Sequence, residues 1–119
     1  MLTREQLMAA AKPRIETVKV PGLGEVGVRI MPGSAREKFE SFCISKQDKN
    51  GNMKDVNGVK PKLLALTLVD ADGKLMFDDS PRDRDVINSL PSNIIEPLFA
   101  KADAMNRTGA KGAEDAEKN

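Results

Sequence analysis

At 119 residues with 39% hydrophobic content, the chain can build one modest core and is too short for two domains. Nineteen basic residues against 18 acidic ones leave a formal charge of +1, so no overall field draws it to nucleic acid or an anionic membrane. It has no histidine, the commonest general base and metal ligand, and its single cysteine, Cys43, cannot close an internal disulfide.

The aromatic residues are four Phe, so the core falls to Leu, Val, Ile, Met and Ala, a composition that leans towards helices. One unpaired thiol suits a reducing compartment and points to the cytosol. No run approaches the ~18 apolar residues of a membrane span, and MLTREQLMAAAK lacks the apolar centre of a signal peptide. The expectation is a chain neither spanning nor secreted, in which the glycosylation pattern Asn106-Arg107-Thr108 carries no meaning.

Thr3 with Gln6 forms a capping-box pattern, which predicts a short helix from Arg4 to Ala11 stopped by Pro13. The period then changes to two: Val18 and Val20, then Val26, Val28 and Ile30, predict a β-hairpin over 16–20 and 26–30 with PGLGE as its turn. Ser34 and Glu37 make a second capping-box pattern, and Phe39, Phe42 and Cys43 share one face of a helix over 35–47. Residues 48–58 are polar and glycine-rich, an exposed loop.

Lys60-Pro61 marks a helix start, and Leu63, Leu64, Leu66, Leu68 and Val69 cover nearly every face of a helix over 60–70. Leu64, Leu66 and Leu68 also alternate, so a strand turning through DADG into KLMF is the competing reading; Leu and Ala favour the helix. Ser80-Pro81 opens a helix over 81–89. The stripe of Ile94, Ile95, Leu98, Phe99, Ala102 and Met105 predicts another over 92–107, kinked by Pro97. Residues 109–119 hold no large apolar side chain and read as a disordered charged tail. The expected fold is α+β, mainly α: one domain over 1–108, a small helical bundle packed on a two-stranded N-terminal hairpin.

Several motifs suggest chemistry and fail in context. Gly22, Gly24 and Gly27 spell G-x-G-x-x-G, but that motif must open a helix and here Val26, Val28 and Ile30 continue as a strand. Asp48, Asn50 and Asn52 start like a calcium loop, yet Met53 and Val59 stand where a glycine and a bidentate acid are required; the loop from Asp70 fails likewise with Leu75 and Pro81. Both read as turns whose side chains accept nearby amides. Cys43 on an apolar helix face reads as a small core residue. Asp78, Asp79, Asp83 and Asp85 beside Arg82 and Arg84 read as capping and solvated charge. No catalytic, cofactor or metal residue is therefore assigned, and an enzyme is not expected.

The order LTREQLMAA, VKVPGLGEVGVRI, SAREKFESF, KLLALTLVDADGKLMFDD and LPSNIIEPLFAKADAMN resembles the tail assembly chaperones of long-tailed (siphovirus-type) bacteriophages and prophages, over about residues 1–108. Its most specific part is Leu63 to Phe77, and the long polar loop from Asp48 to Gly58 departs from the pattern. The resemblance implies a non-enzymatic protein in the cytoplasm of the bacterial host. It implies binding to the tape measure protein, assistance to tail tube protein assembly around it, absence from the finished particle, and room for a homo-oligomer. In many relatives a translational frameshift yields a longer fusion product. The alternative is a small structural tail or connector protein retained in the virion.

A holdase for a helical apolar client needs adaptable surface, for which Met8, Met53, Met76 and Met105 are candidates, each of them also open to a plain packing role. The expected contact surface is the exposed hairpin with the outer side of the last helix.

Overall fold

Alternating residues build the first two strands, β1 (Ile15–Val20) and β2 (Gly24–Arg29), in a computed structural model that describes residues 1–12 and 14–109. They pair antiparallel with Val18 opposite Val26 and Glu16 opposite Val28. Pro21 and Gly22 occupy the centre of their turn, closed by the Leu23 N–H on the Val20 carbonyl at 3.0 Å. Proline presets the first central position and Gly22, at φ 77°, takes the left-handed second one, as a type II turn requires.

The helices follow local signals with two exceptions. Helix α1 (Arg4–Ala9) opens with the expected box, Gln6 N–H donating to Thr3 Oγ1 at 3.1 Å and Thr3 N–H to Gln6 Oε1 at 2.9 Å. It stops short of Ala11 and buries none of its residues. The expected stop at Pro13 lies outside the described residues, as does the expected tail from residue 110 onward. Helix α2 (Gly33–Ser45) begins before Ser34, with extended Pro32 as its N-cap and no capping side chain. Ser34 is thus already helical, and the Ser34–Glu37 box does not form, because a capping residue must stand outside the helix. At its other end Gln47 leaves the helix to bridge Met53.

Helix α3 (Val59–Thr67) packs against α2, against α4 (Pro81–Asn88) and against α5 (Ser92–Asn106). A helix with neighbours on several sides has no polar stripe to present, and eight of its nine residues are buried. Ser80 caps α4 through Oγ, accepting the Asp83 N–H at 3.2 Å. Pro97 lies inside α5.

The main correction concerns 60–70. The helix ends at Thr67, and Leu68–Val69 forms a third strand, β3, antiparallel to β2 with Leu68 opposite Val28 and Val69 opposite Gly27. The sheet is three-stranded in the order β1-β2-β3, where a two-stranded hairpin was expected. Arg29 of β2 donates from Nε to the Leu66 carbonyl at 2.9 Å, supplying a partner at the helix end. Val69 then bridges Leu75 across the DADG turn, and the Met76 N–H returns to the Leu68 carbonyl at 3.0 Å. Helix and second hairpin are both present, in succession. The inner sheet face (Val20, Val28, Leu68) meets Leu63, Leu64 and Leu66 of α3 and Leu98 and Phe99 of α5 in one core.

Candidate binding groove

Where the hairpin turn, the return after β3 and the start of α5 converge, the core is left uncovered. The cleft there has a volume of ≈ 220 Å³. Buried Val20, Leu68 and Leu98 contribute to its lining, with half-buried Val26, Phe77, Leu90 and Ile94. Leu23 and Met76 stand at its rim, 77% and 47% exposed. Among the described residues, Glu25 is the one charged residue lining it.

Local sequence explains why these side chains stay open. With glycine on either side of it, Leu23 stays exposed at the type II turn, and Gly24 takes φ 141°. On the opposite wall, Asp70 Oδ1 accepts the Asp72 and Lys74 N–H groups at 2.8 and 3.0 Å, holding the turn that brings Met76 back. Leu90 follows α4, and Pro91 caps α5, so Ile94 falls in its first turn. The arrangement offers shape and apolar area with little polar chemistry, as fits an apolar side chain or a helix face.

The other singled-out residues are spread over the fold. Of the candidate methionines, Met76 joins the groove, Met8 is exposed on α1, Met53 bridges Gln47, and Met105 packs against the core. Cys43 also packs against the core, where burial pushes its thiol pKa up, with Glu40 adding to that and Arg36 opposing it. Gly22 and Gly24 serve the turn. Gly27 lies mid-strand, where an added Cβ would stand 2.8 Å from Val69 Cγ2. Asp48 Oδ1 accepts the Asn50 and Asn52 N–H groups at 2.9 and 3.0 Å, so both calcium-like loops are turns of the expected kind. Among the described residues no group of three His, Cys, Asp or Glu side chains is placed to hold a metal ion.

The acidic cluster divides. Asp83 sits in the first turn of α4 and accepts the Asp78 N–H at 2.6 Å. Asp79 joins Lys62 of α3, at 2.7 Å, to Arg84 of α4, at 2.8 Å. That largely buried triad clamps two helices, a role that solvated charge does not describe. Its signal was a lysine directly before the apolar run that starts at Leu63. The groove's own missed residues, Leu23 and Phe77, had a weaker signal: an apolar side chain in a turn and one two residues past an isolated bridge.

Compared with protein-family models, curated proteins and solved structures, the chain finds no match. No helix among the described residues is long and apolar enough to cross a membrane.

Proposed function

We propose that this chain is a tail assembly chaperone of a long-tailed bacteriophage or prophage, acting without catalysis in the bacterial cytoplasm. In this reading the groove holds an apolar, helical segment of the tape measure protein while tail tube subunits assemble around it. The observation that supports the reading is the exposed pair Leu23 and Met76 over an apolar floor, on a chain whose segment order resembles that family. Burying an apolar side chain fully is worth about 1.5–3 kcal/mol, so a few seated client residues suffice for reversible holding.

Co-expression with the tape measure protein encoded by the same genetic element tests this. The wild-type chain keeps the client soluble and co-elutes with it on gel filtration, and Met76→Asp loses both effects while melting like the wild type. A client equally insoluble with and without the chain would sink the proposal. Recovery of the chain from purified particles would instead favour a structural tail or connector subunit.

A further inference from the structure

We infer that Asn57-Gly58 is a self-modification site, at which the folded chain converts its own asparagine to aspartate and isoaspartate through a cyclic imide. The reaction needs the backbone nitrogen of the following residue as nucleophile and the asparagine side-chain carbonyl carbon as electrophile. A following glycine hinders that nitrogen least, because it has no Cβ. The chain sets glycine directly after Asn or Asp at Asn50-Gly51, Asn57-Gly58 and Asp72-Gly73. Backbone conformation does not separate them, since Gly51, Gly58 and Gly73 take φ 81°, 84° and 79°. Hydrogen bonding does. The Gly51 N–H donates to the Asp48 carbonyl at 3.1 Å and the Gly73 N–H to the Asp70 carbonyl at 3.0 Å, so both nitrogens are tied back. The Gly58 N–H meets no acceptor among the described residues, and the exposed Asn57 side chain meets no partner there either.

The fold keeps this pair reactive. Gly58 is the N-cap of α3, its carbonyl accepts the Lys62 N–H at 3.0 Å, and an added Cβ would stand 3.1 Å from Phe42 Cζ. The residue that admits the chain to its most buried helix must therefore be glycine, with its carbonyl used by the helix and its N–H left over. In the first step the Gly58 nitrogen gives its proton to solvent base and bonds to Asn57 Cγ. The Cγ–Nδ2 bond breaks, and ammonia leaves with a proton taken from water. Water then opens the five-membered ring. Attack at Cγ restores the ordinary chain with aspartate at 57, whereas attack at the main-chain carbonyl carbon leaves Gly58 joined through Cγ as isoaspartate. The sum is one water taken up and one ammonia released, with nothing oxidised or reduced. Either product sets a carboxylate directly before the first turn of α3, which has no capping side chain and where negative charge is favoured.

Incubating the full folded chain in mildly alkaline buffer, without any client, and mapping its peptides by mass spectrometry tests this separately from tape measure binding. Asn57 is expected to convert at least about fivefold faster than Asn50, the factor that opening one backbone hydrogen bond implies. In denaturing urea the two convert at similar rates, because the bond at Gly51 is gone. Asp48→Ala, which removes the acceptor of the Asn50 and Asn52 N–H groups, is expected to speed conversion at Asn50 and leave Asn57 as it was. Asn57→Gln is expected to abolish isoaspartate at that position. An Asn57 that does not convert, or an Asn50 that converts as fast in the folded chain, overturns the inference. So does a gap between the two that persists unchanged in urea, since it would then belong to local sequence and not to the fold.

Discussion

The side-chain oxygen of Asn106 accepts the backbone N–H of Met31 at 2.7 Å, fastening the last turn of α5 to the chain just beyond β2. Its amide nitrogen donates to the Arg29 carbonyl at 3.2 Å and to the Ala102 carbonyl at 2.9 Å, and the residue is 7% exposed. One side chain therefore satisfies three backbone groups from both layers of the fold. Asn106→Ala is expected to lower stability by about 2–4 kcal/mol, since each buried group left unpaired costs roughly 1–3 kcal/mol. Asn106→Asp keeps the acceptor and loses both donors, so it is expected to stay well below the wild type. Urea denaturation measures both, and a loss under about 1 kcal/mol for the alanine variant would contradict this role. The same nitrogen is the one a glycosylation pattern would offer, and in the folded chain it is already bonded.

Local signals were legible in the sequence, and signals that depend on distant partners were not. Thr3 and Ser80 each bond an amide three residues on, so their helix starts could be read from a short window. Leu68 and Val69 could not be: their conformation depends on Val28 and Gly27 across the sheet, and apolar residues there suit either element. Asn106 is paired with Met31, 75 positions away, and nothing near it in sequence marks it. The groove combines both cases. Leu23 is set by its own turn, whereas Phe77 and Ile94 become neighbours only through tertiary packing.

Gly27 inverts the usual expectation for glycine in a strand. Replacing a strand glycine with alanine is normally neutral or stabilising by about 0.5–1 kcal/mol, because the unfolded chain loses freedom. Here the added Cβ would stand 2.8 Å from Val69 Cγ2 and 3.2 Å from both the Val69 carbonyl oxygen and Ile15 Cγ2. Backbone cannot yield as a side-chain tip does. Gly27→Ala is expected to destabilise by about 1–3 kcal/mol and to speed hydrogen exchange at Val69 and Met76 before the rest of the sheet. A raised melting temperature would refute the close approach.

The DADG turn holds its shape through Asp70. Because Asp70 Oδ1 already accepts the Asp72 and Lys74 N–H groups, the carboxylate organises backbone in place of a cation. Asp70→Ala is expected to cost about 1–2 kcal/mol and to loosen the Met76 wall of the groove. Added calcium at millimolar level, within the range of weak extracellular-type sites (roughly 1 mM), is expected to leave the wild-type melting curve unmoved. A calcium-dependent rise in melting temperature would restore a metal role to this loop.

Acidity should expose the Lys62–Asp79–Arg84 triad. Burial alone would raise the Asp79 pKa, but hydrogen bonding and charge from Lys62, then from Arg84, outweigh it and hold the carboxyl below its usual 3.8. The sign follows from which state binds the proton first. Above about pH 5 the carboxylate is ionised in folded and unfolded chains alike, and the full contribution of the pair is present. As pH falls through 3.8 the unfolded chain takes up a proton while the folded one resists, and the contribution fades as pH drops on through the lower folded value. Asp79→Asn cannot titrate there and leaves Lys62 without its carboxylate, with that side chain only 11% exposed. At neutral pH the variant is expected to be less stable by about 1.5–3 kcal/mol. Urea denaturation across a pH series should find that gap constant from pH 7 to about 5 and shrinking below about 4. A gap that widened on acidification would mean that Asp79 destabilises the folded chain when ionised, contrary to its two cationic neighbours.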